Sequence, residues 1–159
     1  MKLYKIYFFF FLIFILASCT QSADTKKIIV YREEKLDSAS KYKISLPDDY
    51  RIESQRGADF NVYFLQSRDS VPSRLGSAGI YIGYFPEPPR PEPDSVLIKE
   101  SSKHAMILGQ DAIWTIYEYK GHLTAQATIS QNDLKIDLFS SAGNYSKLDS
   151  MIKILGSLK

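Results

Sequence analysis

The sequence predicts an α+β domain: an antiparallel β-sheet flanked by helices, with a C-terminal amphipathic helix packed on one face. Three observations carry this expectation. Leu123, Ala125, Ala127 and Ile129 alternate with Thr124, Gln126, Thr128 and Ser130, and Leu134, Ile136 and Leu138 alternate with Lys135, Asp137 and Phe139. A period of two is the mark of a half-buried strand. The breaks around these strands, Lys120-Gly121-His122 and Gln131-Asn132-Asp133, are short turns, which join antiparallel neighbours. Finally, Leu148, Met151, Ile152, Leu155 and Leu158 recur at helical spacing. One apolar stripe of that kind needs a sheet face to lie on.

The elements before that region follow in order. Lys2 and Lys5 form a short basic start, residues 6–15 are an unbroken apolar run, and Ala17 and Ser18 are small. The run is shorter than the roughly 20 residues of a membrane span and fits the core of a secretory signal. At its end stands Leu16-Ala17-Ser18-Cys19, holding the only cysteine of the chain. This tetrapeptide resembles the lipobox of bacterial lipoproteins. The resemblance implies cleavage between Ser18 and Cys19, a diacylglyceryl group on the Cys19 thiol and acylation of the new α-amine. One acyl chain anchors marginally, whereas two or more hold stably. Residues 1–18 are thus expected to be a signal, residues 19–27 a lipidated start and polar tether, and residues 28–159 a single domain. An odd free thiol in an exported protein is a liability that lipidation removes.

Residues 28–31 are β-branched and aromatic and read as a strand. Residues 32–40 are charged and read as a turn or short helical piece. Tyr42-Lys43-Ile44-Ser45-Leu46 alternates as a strand, and Pro47-Asp48-Asp49 is turn chemistry. Residues 50–53 resume as strand, residues 55–59 turn, and residues 60–65 form the next strand. Residues 67–77 read as a loop. Residues 79–85 form a strand whose Gly79 and Gly83 let another backbone or a bulky ring come close. Pro86, Pro88, Pro89, Pro91 and Pro93 make a stiff polyproline-like connection. Asp94 or Ser95 caps a short helix through Val96, Leu97 and Glu100. A turn is expected at Gly109-Gln110-Asp111, followed by a strand over residues 112–119. Ser146-Lys147-Leu148-Asp149 resembles a capping box opening the last helix, and Gly156 is its stop.

Two stretches together are similar to PsbP-like domains, a superfamily that includes bacterial DcrB-like lipoproteins. They are the Tyr42-to-Tyr50 segment with its Leu46-Pro47 turn, and the closing Ile154-Leu155-Gly156-Ser157-Leu158-Lys159. Leu108-Gly109-Gln110-Asp111-Ala112 resembles the glycine turn before the central hairpin of those domains. Tyr50 stands where a tryptophan is often found. The resemblance covers residues 40–159 and implies a helix-flanked antiparallel sheet with a binding or assembly role.

Composition narrows the function. Lys2 and Lys5 account for the whole formal charge of +2. The remainder carries no basic patch for nucleic acid. His104 and His122 stand isolated, with no metal-ligand spacing around them. Asp48 and Asp49 are turn residues, and Asp137 is assigned to the solvent side of its strand. No nucleophile elbow or phosphate-binding glycine loop occurs, so neither catalytic residue nor cofactor is expected. The candidate surface is aromatic: Tyr81, Phe85, Tyr117 and Tyr119 lie opposite the core-facing residues of their strands. Aromatic faces rimmed by polar groups suit protein contact, while a covering element would make the same rings core.

The expected function is a non-enzymatic, lipid-anchored binding or accessory protein of a bacterial cell envelope. Thr20 in place of an aspartate after Cys19 directs the expectation to the outer membrane, on its periplasmic face or at the surface. Two alternatives are an immunity-type protein that neutralises a periplasmic toxin, and an envelope hydrolase that would join His104 or His122 to Ser and Asp.

Overall fold

Residues 29–68, 78–84 and 96–159 are described by a computed structural model of the chain. The expectations for Ser18, Cys19, the tether, most of the 67–77 loop, Phe85 and the proline-rich connection lie outside those residues. The described chain runs β1 (Tyr31–Lys35), β2 (Lys43–Pro47), β3 (Tyr50–Arg56), β4 (Phe60–Ser67), β5 (Ala78–Gly83), β6 (Leu97–Ile107), β7 (Gln110–Tyr119), β8 (His122–Gln131), β9 (Leu134–Ala142) and α1 (Tyr145–Leu155). Seven strands form one antiparallel sheet in the order β3-β4-β5-β9-β8-β7-β6, and β1 and β2 form a separate two-stranded hairpin.

The fold is mostly β, which overturns the expectation of a sheet flanked by helices. Among the described residues α1 is the single helix. The reason lies in what covers the sheet. Leu36, Tyr42, Ile44 and Leu46 bring the β1–β2 hairpin into the same core as Leu65, Ile80, Trp114, Ala127, Ile136 and Leu138 of the sheet. The hairpin therefore does the covering that a second helix would have done, and it stands beside α1 as one layer. Within α1, Leu148, Met151, Ile152, Ile154 and Leu155 are buried. The helical stripe read from the sequence thus faces the sheet.

Several local expectations are corrected. The first strand starts at Tyr31, and Arg32, Glu33, Glu34 and Lys35 belong to it. Residues 97–107 form β6, an edge strand rather than a capped helix, with a register shift between Leu97 and Lys99. The hairpin turn beyond it uses Leu108 and Gly109, at φ 54 and 72, so Gln110 already belongs to β7. Both angles lie in the left-handed region that two-residue hairpin loops of this class need. Asn132 and Asp133, at φ 51 and 67, make the equivalent turn between β8 and β9. The N-cap of α1 is Asn144, two residues before the expected Ser146. Its side chain accepts from the Lys147 N–H at 3.0 Å. Gly156 ends the helix as expected, in a right-handed conformation, its N–H donating to the Ile152 carbonyl.

The chain end clasps the covering layer. The Lys43 N–H donates to the Lys159 carbonyl at 3.0 Å, and the Lys159 N–H returns to the Lys43 carbonyl at 2.9 Å. Ser157 Oγ accepts from the Ser45 N–H at 2.8 Å, and Leu158 between them is 2% exposed. The sequence after α1 therefore turns, with the Ser157 and Leu158 N–H groups donating back to the Ile154 and Leu155 carbonyls, and brings Lys159 against β2. On the other side of the hairpin, Tyr63 Oη donates to Asp37 Oδ2 at 2.8 Å. That bond, foremost, holds the Asp37 carboxyl below its ordinary value. Burial and the same bond push the Tyr63 phenol up to about 12.

Candidate functional site

Strand parity sorts the seven-stranded sheet into two faces. The inner face carries Tyr63, Leu65, Ile80, Ile136, Leu138, Ala127 and Trp114 against α1 and the hairpin. The outer face carries Phe60, Phe64, Tyr81, Asp137, Phe139, Gln126, Thr128, Thr115 and Tyr117. Tyr81 and Tyr117 are therefore on one face. Tyr119 follows Tyr117 with ring centroids 6.3 Å apart and stacks on His122 at 5.0 Å. Tyr119 is itself 9% exposed, so its ring forms the floor of that end rather than contact surface.

Around β5 the outer face is tiled by rings. Phe60 and Tyr81 stack at 5.7 Å, and Phe64 meets Phe139 edge-on at 6.3 Å. Gly79 lies between Phe64 and Phe139 in register. A Cβ at Gly79 would stand 2.5 Å from the Phe139 ring and 2.9 Å from the Tyr63 carbonyl. The glycine is there because the ring of Phe139 occupies the space a side chain would take.

Next to this aromatic half sits a carboxylate that the sequence reading assigned to solvent. Asp137 is 2% exposed. Its Oδ1 accepts from Thr128 Oγ1 at 2.8 Å and from Gln126 Nε2 at 2.9 Å, and Oδ2 accepts from Gln126 Nε2 at 2.9 Å. Among the described residues no cation pairs with it. Burial raises its pKa, against the downward pull of the Gln126 and Thr128 bonds. Tyr81 and Thr128 flank it in register on β5 and β8.

Beyond Gln126 the sheet opens. The β7–β8 ladder runs from Tyr119 opposite His122 to Thr115 opposite Gln126, and no pairing continues past it. Where the strands part, Asp111, Ala112, Ile113, Thr115, Tyr117, Gln126 and Thr128 line an open groove of about 510 Å³. The two side chains that hold Asp137 are thus two walls of this groove. Ile113 in the groove is 50% exposed, and Met106, opposite Asp111 on the neighbouring β6, is 66% exposed. Comparison with known proteins finds no family model that matches the chain and no curated protein that matches it.

The remaining candidates fall around the groove or apart from it. His104 Nδ1 lies 3.4 Å from Asp111 Oδ1, with side chains 69% and 66% exposed. Among the described residues neither His104 nor His122 is hydrogen-bonded to a serine hydroxyl, so the triad required of a hydrolase is not assembled there. No group of three His, Cys, Asp or Glu side chains among the described residues is placed to hold a metal ion. Asp48 and Asp49 lie in the β2–β3 turn, where Asp48 pairs with Arg32 at 3.2 Å. Sequence reasoning placed Asp137 on the solvent side and missed its partners Gln126 and Thr128 and the opened ladder. The Thr128 contact was findable, because a two-residue turn at Asn132 and Asp133 dictates that Thr128 faces Asp137.

Proposed function

We propose that this chain is a lipid-anchored accessory protein of a bacterial cell envelope, acting without catalysis through contact with a protein partner. Leu16-Ala17-Ser18-Cys19 supplies the argument for the anchor: the thiol receives the lipid, and the outer membrane is the destination. The β7–β8 groove supplies the argument for contact, and it is the observation that carries the reading. Strands that part inside a sheet leave backbone donors and acceptors without their ladder partners, and such groups seek partners. Beside them lie the exposed side chains of Ile113 and Met106. Backbone hydrogen-bonding capacity next to apolar contact area is what an extended peptide segment satisfies. Asp111 at the rim and Asp137 behind the wall bias the groove toward positively charged segments.

Two substitutions test the two halves of the proposal. Cys19→Ala in the full-length chain is expected to move the protein from the membrane to the soluble fraction. Persistence in the membrane with the signal removed would sink the anchor. Ile113→Lys is expected to abolish recovery of the partner from detergent-solubilised native membranes, while Ser54→Lys, on the exposed far edge at β3, leaves it intact. Equal recovery by both variants would remove the groove from the account.

A further inference from the structure

β6 closes one side of the seven-stranded sheet, and its outward backbone has no strand partner among the described residues. It is 11 residues long, and all but Ser101, Ala105 and Ile107 are exposed along it. A long exposed edge is a template for another strand. The order of its side chains says which strand fits.

Two copies of β6 that pair antiparallel in one continuous sheet are related by a two-fold axis perpendicular to that sheet. Opposed residues then share a face, so only positions of equal parity meet. This restricts the axis to passing through a residue. An axis at Glu100 or at Lys103 sets that charge against its own copy. An axis at Ser101 opposes Lys99 with Lys103 twice, and an axis at His104 sets the two imidazoles face to face. At Ser102 no like charges are directly opposed. Glu100 then meets His104 twice, Lys103 meets Ser101, and Lys99 meets Ala105. The two Lys103 ammonium groups end up diagonal, each with its own Asp149 carboxylate 3.9 Å away.

We propose that two copies of this chain associate through β6, antiparallel and centred on Ser102, joining their seven-stranded sheets into one. Residues 99–105 of the two copies then exchange about six to eight backbone hydrogen bonds. The axis leaves both β7–β8 grooves on one face, four strand spacings or about 19 Å apart across the strands. A partner with two suitable segments is held at both grooves at once.

Position 102 tests the register, because only this axis sets it against itself. The full-length chain carrying Ser102→Cys, oxidised in the membranes that contain it and run without reductant, is expected to give a band of doubled mass. The wild type and Ser54→Cys, on the opposite edge β3, are expected to lack it. Ser102→Lys is expected to weaken the dimer about fivefold in sedimentation of the detergent-solubilised full chain, since like charges directly opposed across a strand pair destabilise it. Both serines are exposed, and the thermal unfolding of each variant checks that the fold is kept. Cross-linking of S102C no greater than that of S54C overturns the proposal, as does a wild type that sediments as a monomer throughout.

Discussion

Removing residues 157–159 strips the clasp from the covering layer, and its cost can be worked bond by bond. Leu158 is 2% exposed, and truncating a buried leucine costs about 2–5 kcal/mol. The two backbone bonds between Lys43 and Lys159 and the Ser45-to-Ser157 bond contribute about 0.5–1.5 kcal/mol each when exchanged for water. The exposed Lys159–Glu33 pair at 2.8 Å is screened and adds little. Because Lys43 is exposed, its freed groups rehydrate, which puts the hydrogen bonds near the low end of their range. The deletion is therefore expected to cost about 4 kcal/mol, a large share of the total stability of a domain. In urea, with a slope of about 2 kcal/mol per molar, the midpoint falls by about 2 M. The thermal midpoint falls by about 15 °C at the few degrees per kcal/mol usual for this size. Deleting Lys159 alone removes both Lys43 bonds but leaves Leu158, and is expected to cost about 1–2 kcal/mol. Equal midpoints for the parent and the three-residue deletion would refute the view that the chain end holds the layer. Equal losses for the two deletions would show that Leu158 contributes nothing.

Two further predictions concern the outer face. Asp137→Asn is expected to gain stability relative to the wild type as pH rises. The folded-state pKa of Asp137 is raised by burial, so its protonated form contributes stability that is fully present below the ordinary value of 3.8 and is lost as pH rises through the folded-state value. Urea midpoints of both proteins across acid to neutral pH check this, and parallel curves would contradict the burial argument. Gly79→Ala is expected to cost about 1–3 kcal/mol, the usual penalty for overpacking. The Phe139 ring can tilt away from the new methyl, but the Tyr63 carbonyl at 2.9 Å is backbone. Thermal unfolding with near-ultraviolet circular dichroism follows both the loss and the ring movement, and an unchanged midpoint would show that the face is loosely packed.

The last third of the chain was the most legible. From residue 112 to residue 142 the alternation is clean because one face is buried, and the turns carry residues suited to left-handed conformations. The α1 stripe was equally plain. β6 was not, because an edge strand exposed on both faces has no need to alternate, and Val96, Leu97 and Glu100 mimic the start of a helix. The helix count failed for a related reason. Arg32, Glu33, Glu34 and Lys35 read as turn or helix because β1 pairs on one side only and its charges face water. That hid the hairpin which takes the place of a second helix over the sheet. Asp137 was misplaced because parity gives the face of a residue but not its depth. Its burial depends on Gln126 and Thr128, which reach it from the neighbouring strand. The opened β7–β8 ladder has no sequence signal at all, since residues 110–114 and 127–131 alternate as though they were paired.

The hairpin that covers the sheet is also the element through which the chain would carry a load. A domain held by its N-terminus and gripped by a partner on its outer face transmits tension from Tyr31 into β1. From there the tension passes across five paired positions to β2. It reaches the sheet through the Asp48-Asp49 turn into β3, through side-chain packing, and through side-chain bonds such as Tyr63 to Asp37 and Tyr42 to Gln131, while the chain end adds its hydrogen bonds to Lys43 and Ser45. The weakest member in series yields first. Under pull, the β1–β2 layer would peel away and pay out chain while the seven-stranded sheet and its groove stayed intact, so that a tethered domain lengthens its leash before it loses its grip.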